Sequence, residues 1–268
     1  MTAQDQLQTW KAVEDIRRQA PVVHNITNYV VMNSTANALL AIGASPVMAH
    51  AEEEVADMVG IASALVINIG TLSREWVKAM YIAAERALER GIPIVLDPVG
   101  AGATEYRTST VRALVSAIRP TIIRGNASEI MAVCGERVST KGVDSSEASH
   151  DALAAARALH ESWGSTVCVS GATDYIVGAG EVRRVGNGDP MMTRVTGLGC
   201  TATALCGAFA AVTPDPARAA AQAMVVMGIA GELAAAGAEG PGSLQVRFLD
   251  ALYRLTREDI EQRIRLGA

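Results

Sequence analysis

The chain has 268 residues and a formal net charge of −5, with 50% apolar, 19% charged and 4% aromatic residues. That length allows one large domain or two small ones around a sizeable core, and a charged fraction below the roughly 25% usual for soluble domains excludes a disordered chain. The acidic balance argues against nucleic acid or an anionic membrane as partner, and no apolar run reaches the roughly 18 residues that a bilayer crossing needs.

The first residues show no basic start and no apolar signal core. Cys134, Cys168, Cys200 and Cys206 form no Cys-x-x-Cys and are too few for a disulfide framework in a chain of this size. A reduced, cytoplasmic protein is expected.

Apolar, β-branched runs of strand length fall at 21–26, 64–69, 93–96, 121–123 and 166–169. Helical patterns lie between them. Over 75–90 Trp76, Met80, Ala83, Ala84, Ala87 and Leu88 recur at three- and four-residue spacing, and over 146–163 Leu153, Ala156 and Leu159 do the same. Strands alternating with helices predict βαβ units and a parallel sheet. Val66-Ile67 and Ile94-Val95-Leu96 are continuously apolar, as strands covered on both faces should be.

After Ser170 the pattern changes to a short antiparallel hairpin, 175–177 and 182–185 around Gly178-Ala-Gly180. Beyond Cys200 almost only helix is predicted, at 201–212, 216–236, 243–255 and 257–266. With no Pro/Ser-rich linker and no internal repeat, residues 1–268 are expected to form a single α/β domain of α/β/α layers with a mostly parallel central sheet.

The segment Thr196-Gly197-Leu198-Gly199-Cys200-Thr201-Ala202 lies between the hairpin and an Ala-rich helical run. Glycines ahead of a helix expose backbone N–H groups and the positive dipole end, which make an anion site. A plain helix start with a tight turn explains them as well. The spacing also satisfies Gly-x-Gly-x-x-Ala, but a dinucleotide turn should open a βαβ unit with an acidic residue about 20 positions on, and here only helix follows. Cys200 sits where a helix N-terminus stabilises a thiolate, whereas Cys206 reads as a small buried apolar residue.

Asp97-Pro-Val-Gly-Ala-Gly102 follows a strand directly. Either Asp97 offers its carboxylate to a hard cation such as Mg²⁺ at the carboxyl edge of the sheet, or Asp-Pro starts a turn. Arg124-Gly-Asn-Ala-Ser-Glu129 also follows a strand. Asn126 and Glu129 have the spacing of a capping box, which puts both on one face toward the crevice of Asp97, and Arg124 adds a fork suited to phosphate. These parts form a phosphoryl-transfer set, although the chain holds no Gly-x-x-x-x-Gly-Lys-Ser/Thr loop.

Near the N-terminus, Asn25, Thr27 and Asn28 either make Asx-type turns or line a pocket. By itself Met48 reads as core filler. His24 reads as a partly buried histidine rather than a base, and Glu52-Glu53-Glu54 as a favourable first helical turn.

Taken together, His24–Asn37, Gly43–Met58, Asn68-Ile-Gly-Thr-Leu72, Asp97–Gly102, Arg124–Glu129 and Val195–Cys200 resemble the hydroxyethylthiazole kinase family, the thiamin-salvage branch of the ribokinase-like superfamily. Gly-Ala-Ser-Pro-Val-Met and the cysteine of the Gly-x-Gly-Cys turn are specific to that family; other ribokinase relatives usually carry Asp there. The resemblance implies ATP bound by Arg124, Ser170 and Asn126, with Mg²⁺ as cofactor at Asp97 and Glu129. It implies a thiazole against Met48, Asn25 and Gly197, an anion hole of Gly197, Leu198, Gly199 and Cys200, and Cys200 as catalytic base. It also implies a homotrimer whose thiazole site lies between subunits. Leu198 is larger than the small residue expected inside the turn, so its side chain is expected to point away from the phosphate. The rivals are a ribokinase-like kinase of hydroxymethylpyrimidine type, an NAD-dependent oxidoreductase using the Gly197–Ala202 turn, and a non-catalytic nucleotide-binding regulator.

Overall fold

The apolar runs become the middle of a nine-stranded sheet in the computed structural model, which describes residues 3–135 and 145–267. The strands are β1 (Val22–Ile26), β2 (Ser45–Val47), β3 (Ala64–Asn68), β4 (Ile94–Asp97), β5 (Ile122–Asn126), β6 (Thr166–Ser170), β7 (Asp174–Val177), β8 (Arg183–Val185) and β9 (Leu266–Gly267). They lie in the order β2-β1-β3-β4-β5-β6-β7-β8-β9. Pairing is parallel from β2 to β6 and antiparallel from β6 to β9.

Period two decides which layer each strand residue serves. Val66, Val95, Ile122 and Cys168 face one core, and Leu65, Ile67, Ile94, Leu96, Ile123 and Val167 face the other. The first core is closed by α1 (Ala3–Gln19), α2 (Met32–Ile42), α8 (Leu198–Ala210), α9 (Pro216–Ala235), α10 (Pro241–Arg254) and α11 (Arg257–Arg263). The second is closed by α3 (Val55–Ile61), α4 (Arg74–Arg90), α5 (Glu105–Ile118), α6 (Ala127–Cys134) and α7 (Ser145–Trp163). Apolar side chains on both faces account for the continuous hydrophobic runs.

Helix α8 packs tightly on the sheet. At Gly207 an added Cβ would lie 2.7 Å from Val66 Cγ2 and 3.2 Å from Val23 Cγ1, so only glycine fits this approach. The start of α4 follows from Ser73, whose side chain accepts the Trp76 N–H.

Three expectations need adjusting. β2 is three residues long, half-buried and contains Pro46, so it carries little strand signal and suits only a sheet edge. The helix expected over 257–266 stops at Arg263, and Leu266-Gly267 turns back to pair with β8. The acidic run Glu52–Glu54 precedes α3 as a turn rather than forming its first helical turn, and Glu52 pairs instead with Lys78. No helix among the described residues is long and apolar enough to cross a membrane.

Candidate active site

The parallel strands end on one edge, and four of them end on polar residues: Asn68 on β3, Asp97 on β4, Asn126 on β5 and Ser170 on β6. Neighbouring ends are in register, with Asn68 opposite Asp97 and Asn126 opposite Ser170. A chain that places its apolar residues inside the strands and its polar ones at their carboxyl ends builds a crevice there.

The crevice contains a cavity of about 410 Å³, whose lining includes Asn28, Asp97, Arg124, Asn126, Glu129, Ser170, Gly197, Gly199 and Cys200. A larger one, about 650 Å³, shares Arg124, Ser170 and Gly199 with it. This second cavity has an apolar wall of Leu198, Ala202, Met224 and Met227, and polar groups from Asp174, Asn187, Asp189 and Arg265.

The Gly-x-Gly-Cys turn opens α8 three residues earlier than expected. Gly197 adopts φ +84°, and a Cβ there would lie 2.5 Å from Val31 Cγ1. The first N–H bonded within the helix belongs to Thr201, which donates to Gly197 O at 2.9 Å. The amides of Leu198, Gly199 and Cys200 are therefore unspent at the positive end of the dipole, an anion site. The Leu198 side chain turns into the first core and the larger cavity. No strand follows α8 directly, so this is not a dinucleotide turn: α8 leads to α9.

Arg124 is buried, with Nη1 donating to Gly199 O at 3.0 Å and Nε without a partner. Burial is the largest single influence and works against its charge, yet Asp97, together with Cys168, Cys206 and Asp174, lifts its pKa above the ordinary guanidinium value. A buried cation with an unspent donor beside free helix amides fits a phosphate.

Asp97 Oδ2 accepts from Thr203 Oγ1 at 2.7 Å and Asn68 Nδ2 at 3.0 Å. Burial pushes Asp97 up to about 6; Glu129 adds to this, while Arg124 and the two hydrogen bonds oppose it. The capping box on α6 is present: Asn126 Oδ1 accepts the Glu129 N–H, and Glu129 Oε2 accepts the Asn126 N–H at 2.8 Å. Glu129 Oε1 also takes the Gly100 N–H at 2.9 Å. Each Glu129 oxygen thus keeps one lone pair for a ligand.

Among the described residues no three His, Cys, Asp or Glu side chains cluster as a metal set. Two carboxylates at the edge of a cavity nevertheless fit Mg²⁺, which keeps several waters and takes phosphate oxygens rather than a full protein cage.

Cys200 Sγ receives a hydrogen bond from Asn28 Nδ2 at 3.5 Å. Burial, then the charge of Asp97, raise its pKa to about 11, so the thiol form dominates at neutral pH despite its place in the first turn. Cys206 is fully buried, as expected.

Asn25 and Met48 are not brought to either cavity. Asn25 is fully buried, its Nδ2 donating to Val23 O at 2.8 Å. Met48 lies partly buried after β2, and its carbonyl bonds His50 Nδ1. The period-two alternation of β1 turns Asn25 inward; the asparagine at the cavity is Asn28, just beyond the strand. His24 is buried and its pKa is lowered by that burial, with Nε2 bonded to Ala49 O at 2.8 Å. Thr203 and Asp174 were not singled out from sequence, and Asn68 entered only within the family-like segment 68–72, with no role. Asn68 had a signal, a polar residue ending an apolar strand, whereas Thr203 had none inside an Ala-rich helix.

Comparison with known proteins adds a family. Residues 13–258 match the hydroxyethylthiazole kinase family. A protein named hydroxyethylthiazole kinase from Syntrophus aciditrophicus (strain SB) is 66% identical over 261 residues, 97% of each chain. The solved structure of a hydroxyethylthiazole kinase protein from Pyrococcus horikoshii OT3 superposes with TM-score 0.90 at 44% identity, covering 97% of this chain and 98% of that one. A ribokinase-like superfamily protein from Enterococcus faecalis V583 shares the fold alone, with TM-score 0.64 at 14% identity over 88% and 87% of the two chains.

Proposed function

The chain belongs to the hydroxyethylthiazole kinase family and is a kinase of thiamin salvage; we infer that it moves the γ-phosphoryl group of ATP onto the hydroxyl of 4-methyl-5-(2-hydroxyethyl)thiazole at the crevice described above. The observation that carries this reading is the meeting of Asp97, Glu129, Arg124 and the unspent α8 amides around one cavity. Phosphoryl transfer needs little covalent help from the protein, so positioning and charge stabilisation suffice.

ATP lies with its base in the larger, partly apolar cavity and its phosphates at the shared wall of Arg124, Ser170 and Gly199. Mg²⁺, held by Asp97 and Glu129, neutralises phosphate charge when bound. The acceptor hydroxyl sits in the cavity beside Cys200 and Asn28, and its oxygen bonds to the γ-phosphorus as the bond to the β,γ-bridging oxygen breaks. ADP leaves with that electron pair, and the hydroxyl proton goes to Cys200 Sγ. Because the thiolate is a minor form, Cys200 contributes less than a carboxylate base would, and amides of the 197–200 turn carry the growing negative charge. The thiazole ring extends past exposed Val30 toward Tyr29 and Met48, where a second copy in a homotrimer closes the site. The enzyme acts in the cytoplasm.

The test is to mix protein with Mg-ATP and the thiazole alcohol and search for the phosphate ester by mass spectrometry, with a parallel sample lacking Mg²⁺. Metal-dependent product supports the assignment. Phosphorylation of a hydroxymethylpyrimidine instead overturns the substrate, and no phosphorylation of any alcohol leaves a nucleotide-binding regulator.

A further inference from the structure

We propose that Asn68, which lines neither cavity, is a positioning residue that locks the Asn28 amide and so aims Asn28 Nδ2 at Cys200 Sγ while tying both to the Asp97 carboxylate. The inference rests on the kinase reading for its catalytic meaning and on hydrogen-bond geometry for its structural content. Asn68 is 1% exposed, both ends of its amide are hydrogen-bonded, and it also acts on the Cys200 thiol directly. Its Oδ1 accepts the Gly70 N–H at 2.8 Å and Asn28 Nδ2–H at 3.0 Å, and its Nδ2 donates to Asp97 Oδ2 at 3.0 Å. A flipped amide would set its NH₂ against the Gly70 N–H, donor against donor, so only one orientation satisfies the site.

The direction is passed on. Asn28 Oδ1 accepts the Val30 N–H at 3.1 Å, which leaves both Nδ2 hydrogens pointing inward, one to Asn68 and one to Cys200. The space for this arrangement is provided at Gly70, where an added Cβ would lie 2.5 Å from Asn28 Nδ2. Thr203, on the same helix as Cys200, holds the far end by donating to Asp97 at 2.7 Å. Two asparagines thus form a directional chain between the group that receives the proton and the group that holds the cation. Removing its middle leaves Asp97 and Cys200 in place but frees the amide between them.

Two variants test this, each checked for an intact thermal transition. Asn68→Ala removes the middle link, and Gly70→Ala displaces the Asn28 amide without removing Asp97 or either of its side-chain donors, Asn68 and Thr203. Iodoacetamide labelling of the nucleotide-free protein, resolved by peptide mass spectrometry, reads Cys200 directly, with Cys134 as the internal reference. Loss of an amide donor to the thiolate should slow Cys200 labelling by about tenfold in both variants. In the kinase assay kcat should fall by about tenfold while KM for ATP moves by less than about threefold. Should Asn68→Ala fail to fold, Gly70→Ala alone decides. Unchanged Cys200 labelling overturns the proposal, as does an equal loss in kcat and ATP affinity with a lowered melting temperature, which marks general disruption. If the wild-type protein phosphorylates no thiazole alcohol, the kinase reading falls, and the labelling still decides whether Asn68 positions Cys200.

Discussion

Arg124 Nη1 donates to the carbonyl oxygen of Gly199 at 3.0 Å, joining the end of β5 to the first turn of α8. The bond fixes a buried guanidinium beside the unbonded amides of the first turn, and Nε has no partner. Arg124→Ala should lower kcat/KM for ATP by at least about a hundredfold, the scale of losing a preorganised charge donor in a water-poor site. Arg124→Lys should not restore it, because an ammonium has no planar fork. Steady-state kinetics that place either variant within threefold of wild type would remove Arg124 from the phosphate site.

Cys200→Ala should reduce kcat by about 10- to 100-fold, at or below the low end of the roughly 100- to 10,000-fold of a positioned base because the thiolate is the minor form, and leave KM for ATP unaltered. The pH dependence has a definite sign. A thiol whose pKa is raised to about 11 gains its basic form as pH rises, so wild-type kcat should climb between neutral and alkaline pH. The alanine variant should lose that slope. Equal rates for the two proteins across this range sink the base assignment.

Asp174 is mostly buried beside the larger cavity, and burial raises its pKa to about 6. Its folded pKa lies above the unfolded value near 3.8, so the stability it contributes is present below that value and is lost as pH rises to about 6. Above that range a buried carboxylate is carried at a cost. Asp174→Asn keeps the acceptor for the Gly171 N–H and should raise the melting temperature at neutral pH, the gain shrinking toward pH 4. Scanning fluorimetry across pH decides; a variant less stable at neutral pH contradicts this account.

Gly207→Ala should destabilise the protein by about 1–3 kcal/mol, the cost of forcing a methyl into a packed layer. The contacts it meets, Val66 and Val23, belong to the sheet. Denaturant midpoints should therefore fall while KM for ATP is preserved. A stability within about 0.5 kcal/mol of wild type would show that α8 can lift off the sheet at little cost.

Chelation should abolish turnover without loosening the fold. Asp97 and Glu129 already accept hydrogen bonds from Thr203, Asn68, Gly100 and Asn126, so neither depends on a cation for its partners. The melting temperature of nucleotide-free protein should be the same with EDTA or Mg²⁺, and Mg²⁺ should raise it only when nucleotide is present. A drop on EDTA treatment alone would mean a structural metal.

The strands of the parallel half other than β2, the capping box at Asn126 and Glu129, and the glycine turn that opens α8 were readable from local pattern, because each depends on residues a few positions apart. Asn25 and Asn28 were not separable in the same way. Both are polar, near the end of β1 and buried; only the fold shows that Asn25 is held within the strand while Asn28, two residues beyond it, lines the cavity. β9 was hidden for a related reason: two residues acquire strand character only from β8 beside them. Cys200 shows the opposing pulls. Its helix-start position favours a thiolate, but burial and Asp97, supplied by β4 from distant sequence, prevail.

Arg124, Ser170 and Gly199 form a party wall, each presented to both cavities. Two guests that press on one wall are thermodynamically linked. If nucleotide settles the guanidinium in a way that tightens the acceptor alcohol, the alcohol must tighten nucleotide by the same factor, whichever arrives first. The binding free energies of the two substrates are therefore not separate properties of two pockets, and an analogue that fills one should be felt as a changed affinity in the other.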